Sequence, residues 1–164
     1  DFKKTLDRIE KQVNSVKVIE EMISHTYLEE REISRIKREK IELIYGYVDK
    51  EVSVLSTNLS TALACMQRDT IFPSNKTQML ISLYFKSEME RELEYYLEQR
   101  KPLLTHISKL EQANYEINNQ QQSMSENMTT FDYGNQLTAN LNQAKINIEL
   151  ALEKQMKKLI IPSI

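Results

Sequence analysis

Apolar residues recur in two different registers along the first 66 positions of this chain. Phe2, Leu6, Ile9, Val13 and Val16 step by four and three, the seam of a left-handed coiled coil, and the stepping reaches Ile23 through the polar Glu20. From Met22 onward the spacing becomes eleven, through Ile33, Ile44, Leu55 and Met66. Steps of four, four and three through Ile44, Val48, Val52, Leu55, Leu59, Leu63 and Met66 fill the gaps. An eleven-residue repeat corresponds to about 3.67 residues per turn, so paired helices built on it run nearly straight or slightly right-handed. The stretch holds one glycine and no proline, which predicts a single helix over about 2–69. At 1.5 Å per residue such a helix is roughly 100 Å long. It is not stable alone in water, because its apolar stripe has to be buried against another helix. The predicted seam is therefore Leu6, Ile9, Val13, Val16, Ile23, Ile33, Ile44, Val48, Val52, Leu55, Leu59, Leu63 and Met66.

The pattern breaks at Arg68–Asn75, where Pro73 excludes a helix interior and pushes Phe72 away from helical backbone angles. A loop over 70–76 is expected there, with Ser74 or Asn75 capping the next helix and the chain turning back along the first. A helix over about 77–100 carries Leu80, Leu83, Tyr84, Met89, Leu93, Tyr96 and Leu97 on one face. Pro102 is expected to kink it or to begin a separate helix over 102–131, which fades into the Asn/Gln run 118–122. Asp132, Tyr133 and Gly134 read as a second break, followed by a helix over 135–160 with Leu137, Leu141, Ala144, Ile148, Leu152 and Met156 on its apolar side. Lys154, Lys157 and Lys158 suit its negative dipole end, and Ile160, Ile161 and Ile164 form an apolar tail that wants a cover.

Composition narrows the class. Two glycines and three prolines in 164 residues leave little turn material, and 28% charged residues without tryptophan is the balance of long amphipathic helices. The expected fold class is all-α: a long coiled-coil helix followed by shorter helices folding back on it. The net charge of -2, with acids and bases interspersed, supplies no pull toward nucleic acid or anionic lipid. The basic run Arg35, Lys37, Arg38 and Lys40 has acidic neighbours and reads as a solvated helix face. Cys65 alone excludes an internal disulfide; it is a small packed side chain or an intermolecular link across a symmetric dimer. No apolar run reaches membrane-span length and no signal peptide is present, so an intracellular, cytoplasmic setting is expected. An opening Asp in place of Met suggests a fragment of something larger.

Catalytic chemistry finds no foothold. His25 and His106 lack a second ligand at metal spacing and are expected on the surface. Glu88, Glu92, Glu94 and Glu98 share their helix with Lys86, Arg91 and Arg100, the pattern of solubilising ion pairs. There is no phosphate-binding glycine loop, nucleophile elbow or Ser/His/Asp set, so no enzyme activity and no cofactor are expected of this stretch. Gly46, between Tyr45 and Tyr47, marks either a close approach of another backbone or a surface position of no consequence. The glycosylation sequons at Asn58, Asn75 and Asn127 matter only in a secreted protein.

The heptad start, the hendecad middle, the proline-marked reversal and the ending through Leu104, Leu110, Phe131, Gly134, Leu137 and Leu141 together resemble the coiled-coil segment of tripartite-motif (RING, B-box, coiled-coil) proteins. That resemblance implies an antiparallel homodimer with zinc-binding domains before residue 1 and a recognition domain after the last helix. Ubiquitin-ligase chemistry would then belong to the full-length protein. The expected function is a non-catalytic dimerisation and scaffolding module that spaces flanking domains, with self as partner and neither nucleic acid nor membrane bound directly. A structural tether or a cytoskeletal or kinetochore-type bundle binding a partner protein is the alternative. A membrane-bending dimer needs a one-sided basic face that the interspersed charge does not supply.

Overall fold

The computed structural model describes residues 2–64, 74–120 and 127–160. The described residues form an all-α chain of four helices, α1 (Phe2–Leu63), α2 (Lys76–Tyr84), α3 (Lys86–Gln120) and α4 (Asn127–Leu159). It divides into two units, Asp1–Glu39 and Lys40–Ile164.

The first unit is the leading part of α1 alone. Its hydroxyls turn back on the helix, Ser15 donating to the Lys11 carbonyl at 2.8 Å and Thr26 to that of Met22 at 2.9 Å. Arg35 bridges Glu32 at one end and Glu39 at the other, three and four residues away along one face. Nothing within this unit covers its apolar residues.

The second unit is a helical bundle built on the trailing part of α1. Tyr45 donates its hydroxyl to the Glu149 carbonyl at 2.8 Å and Asp49 pairs with Lys145, so α1 and α4 run antiparallel. Tyr96 meets Glu51, and Asn114 donates to the Ala62 carbonyl at 2.7 Å, so α1 and α3 run parallel. Short α2 lies antiparallel to α1, with Lys76 over the Tyr47 ring at one end and Lys40 over the Tyr84 ring at the other. The core inside takes Ile41, Ile44, Val48, Val52, Leu55 and Leu59 from α1, Leu80 and Ile81 from α2, Tyr96, Leu103 and Ile107 from α3, and Leu141, Ile148 and Leu152 from α4. Each such side chain contributes about 1.5–3 kcal/mol on burial, which outweighs the weak intrinsic preference of any one helix.

The helix boundaries differ from those the sequence suggests, in three places. The chain reverses at Phe85, which has no turn residue beside it. Phe85 ends α2 by donating to Ile81 at 2.8 Å, and its own carbonyl accepts from Met89 at 2.9 Å, starting α3. Phe85 and Met89 both leave helical angles (φ -138° and -135°), and both side chains are buried, so core burial holds the bend. Pro102, expected either to kink a helix or to begin a separate one, lies inside α3 and does not split it. A proline there removes one backbone bond and costs about 3 kcal/mol, which the burial of neighbouring Leu103 and Ile107 offsets. The third difference is at Asp132–Gly134, expected as a break and found within α4. Gly134 is buried, and a Cβ there would come within 3.1 Å of a Leu59 methyl and 3.4 Å of His106 Nε2. Its missing side chain lets α4 close on α1 and α3 instead of ending the helix. The end of the first helix expected at 69, most of the loop 70–76, the Cys65 site and the tail 161–164 lie outside the described residues.

Candidate interaction seam

The thirteen predicted seam residues separate into two groups. Ile44, Val48, Val52, Leu55 and Leu59 are buried, and Leu63 is half-buried against the same core. The eleven-residue stripe of this part of α1 is therefore closed by helices of its own chain. Ile41, one turn before Ile44 and fully buried, belongs with this group and was not among the predicted positions. The second group faces solvent: Ile9, Val13, Val16, Ile23 and Ile33 are between 48% (Val13) and 65% (Ile23) exposed. Val18, Ile19, Met22, Tyr27 and Leu28 are also exposed on this part of α1, Tyr27 at the heptad seam, Ile19 flanking it and the others around the helix. The side chain of Leu6 and the whole of Met66 lie outside the described residues.

Ten large apolar side chains open to water within 25 residues of one helix exceed the scattered exposure normal for a soluble surface. A single helix has no second layer on which to fold them. Apolar side chains repeating at this spacing suit packing against another apolar surface.

Glu51 is the centre of a buried polar node in the bundle, which local sequence signals did not reveal. Glu51 is almost fully buried and its carboxylate accepts from the Tyr96 hydroxyl at 3.0 Å, the Thr77 backbone N–H at 3.2 Å and the Ser74 hydroxyl at 3.2 Å. Of the two expected caps, Asn75 makes no side-chain capping bond and the Ser74 hydroxyl goes to Glu51, so α2 is capped by a carboxylate of α1 placed at its positive dipole end. Burial, then the neighbouring Glu51 charge, raises the Tyr96 phenol well above its ordinary value. Tyr45 is raised in the same sense by burial and by Glu153 and Glu149. Lys145 is raised mainly through its bond with Asp49, and the exposed Glu32 is lowered by its bond with Arg35.

Other sequence candidates are dispersed. His25 is exposed beside Glu29, whereas His106 is half-buried, with its ring edge-on to Tyr133 at 5.0 Å and its Nε2 buried without a hydrogen-bond partner. Among the described residues no group of three His, Cys, Asp or Glu side chains could hold a metal ion. Glu88 and Glu92 line an open groove between α3 and α4 together with Arg91, Lys154 and Lys158, a mixed-charge surface. Glu94 and Glu98 are exposed. Gly46 is exposed, with nothing within 4 Å of a Cβ built on it, so no backbone of this chain approaches it closely. No helix among the described residues is long and apolar enough to cross a membrane. Comparison with protein-family models, with curated protein sequences and with solved structures returns no match.

Proposed function

We propose that this chain is a non-catalytic dimerisation and scaffolding module that joins two copies through the leading part of α1 and so spaces whatever domains flank it. One observation carries the reading: the seam from Ile9 to Ile33 is exposed, while the seam from Ile44 to Leu59 is buried within its own chain. An isolated helix with so much apolar surface is marginal in water, and a coiled coil is the ordinary way to stabilise it. The likeness of the sequence pattern to tripartite-motif coiled coils supports the same reading.

The pairing is antiparallel. In a parallel, in-register pair every seam residue meets its own copy, and Glu20 would stack on Glu20 in an otherwise apolar layer. Like charges facing each other in a partly desolvated seam are unfavourable. In an antiparallel pair each seam position meets the other kind of seam position, and Glu20 faces an apolar residue along which its stem can lie with the carboxylate reaching water. The test is co-purification of two differently tagged copies of the chain expressed together. Recovery of the second copy on the tag of the first is expected, and its absence at micromolar concentration would contradict the proposal.

A further inference from the structure

Charge along the exposed part of α1 is arranged in blocks, and the blocks specify where the two copies cross. Residues 3–17 carry five Lys or Arg and two Asp or Glu, and residues 20–32 carry five Asp or Glu and one Arg. The chain's near-neutral total conceals this division. In a parallel pair the basic block of one copy lies along the basic block of the other, and the acidic along the acidic. An antiparallel pair reverses the order, so that each basic block lies along the acidic block of the second copy.

We infer that the occupant of the exposed seam is a second copy of this chain laid antiparallel over residues 3–33, with the two-fold axis passing close to Val18. The inference rests on the homodimer reading above and adds its register. The midpoints of the two blocks lie near residues 10 and 26, so their mutual overlay places the crossing halfway, near residue 18. The apolar seam is compatible with this register. With the crossing there, Ile9 layers on Tyr27, Val13 on Ile23 and Val16 on Glu20, each position of one heptad type meeting the other type as antiparallel packing requires. Ile19, one residue from the axis, flanks these layers, an exposed apolar residue outside the predicted seam. Lys17 comes beside the acidic pair Glu20 and Glu21 of the second copy, compensating the charge of the Val16–Glu20 layer. A different protein in this seam would have to reproduce both the apolar layers and the reversed charge order; a second copy carries them already.

Val18 and Glu32 are two heptads apart and both exposed, on the side of α1 turned away from the heptad seam, so labels there leave that packing intact. The experiment uses the full chain with Cys65→Ser and a spin label at a single cysteine, Val18→Cys in one sample and Glu32→Cys in the other. Pulsed electron–electron spectroscopy reads the distance between the two copies, and light scattering on the same samples reads the mass. A crossing at residue 18 predicts labels at position 18 within about 20 Å of each other and labels at position 32 about 40 Å apart, from 1.5 Å per residue over 14 residues on each copy. Short distances at both positions would mean a parallel pair and overturn the orientation and register. A long distance at 18 with a short one at 32 would overturn the register alone. A monomeric mass for both samples would overturn the homodimer reading on which the inference rests.

Discussion

Glu51 is the residue on which most of the bundle's polar order depends. Its carboxylate satisfies a phenol, a hydroxyl and the first turn of α2 at once, all in a buried setting. Replacing it with alanine strands the Tyr96 hydroxyl and the Thr77 N–H, and a stranded buried donor costs about 1–3 kcal/mol. Glu51→Ala should lower the unfolding free energy in urea by about 3 kcal/mol or more. Glu51→Gln, which keeps acceptor and shape, should lower it by less than half as much. The raised Tyr96 phenol makes a separate prediction. A group whose folded value lies above its unfolded value stabilises the fold below the unfolded value and stops doing so as pH rises toward the folded one. Stability should therefore fall as pH climbs above about 10, where the unfolded phenol begins to ionise, and Tyr96→Phe should flatten that fall, as followed by urea midpoints between pH 8 and 11. Gly46 lies exposed in the middle of α1 with open space around it, so Gly46→Ala should raise the melting free energy by about 0.5–1 kcal/mol. A decrease would show that another helix lies across that position.

At the scale of elements, α1 is one helix with two different uses of one seam. Ile44→Ala opens a cavity in the bundle core and should cost about 2–5 kcal/mol of bundle stability. Val13→Ala should leave bundle stability within about 0.5 kcal/mol and weaken self-association instead, the two effects being separated by near-ultraviolet dichroism and by sedimentation of the same proteins. The hendecad spacing over 44–63 was plain in the sequence, because a strict period survives whichever helix covers it. That the cover comes from the same chain followed only from finding α2 to α4 packed on it. Boundaries set by single residues were less legible. Phe85 bends the chain by being buried, a cause without a local signature, whereas Pro102 and Gly134 carry strong local signatures that packing overrides. The Glu51 cap lies 26 residues from the N–H it serves, beyond the reach of any capping pattern read along the chain.

At the scale of the whole molecule, the two units state one physical problem and one solution. Among the described residues the α1 seam is buried from Ile44 to Leu59 in the unit Lys40–Ile164, although Leu83, Tyr115 and Leu150 stay exposed elsewhere in that unit, whereas from Ile9 to Ile33 the seam is exposed. The proposed pairing would cover this exposed apolar area, and the segregation of bases before residue 18 and acids after it fits a second copy laid in reverse. On the proposed function the paired helix fixes how far apart attached groups stand. The most direct measurement is the mass of the intact chain by light scattering, alone and as Val13→Glu, at about 10 μM in moderate salt. Pairing through the exposed seam predicts twice the 19.3 kDa chain mass for the unaltered protein and the single-chain mass for Val13→Glu, with the bundle still folded. A single-chain mass for the unaltered protein, or a dimer indifferent to Val13→Glu, would contradict it.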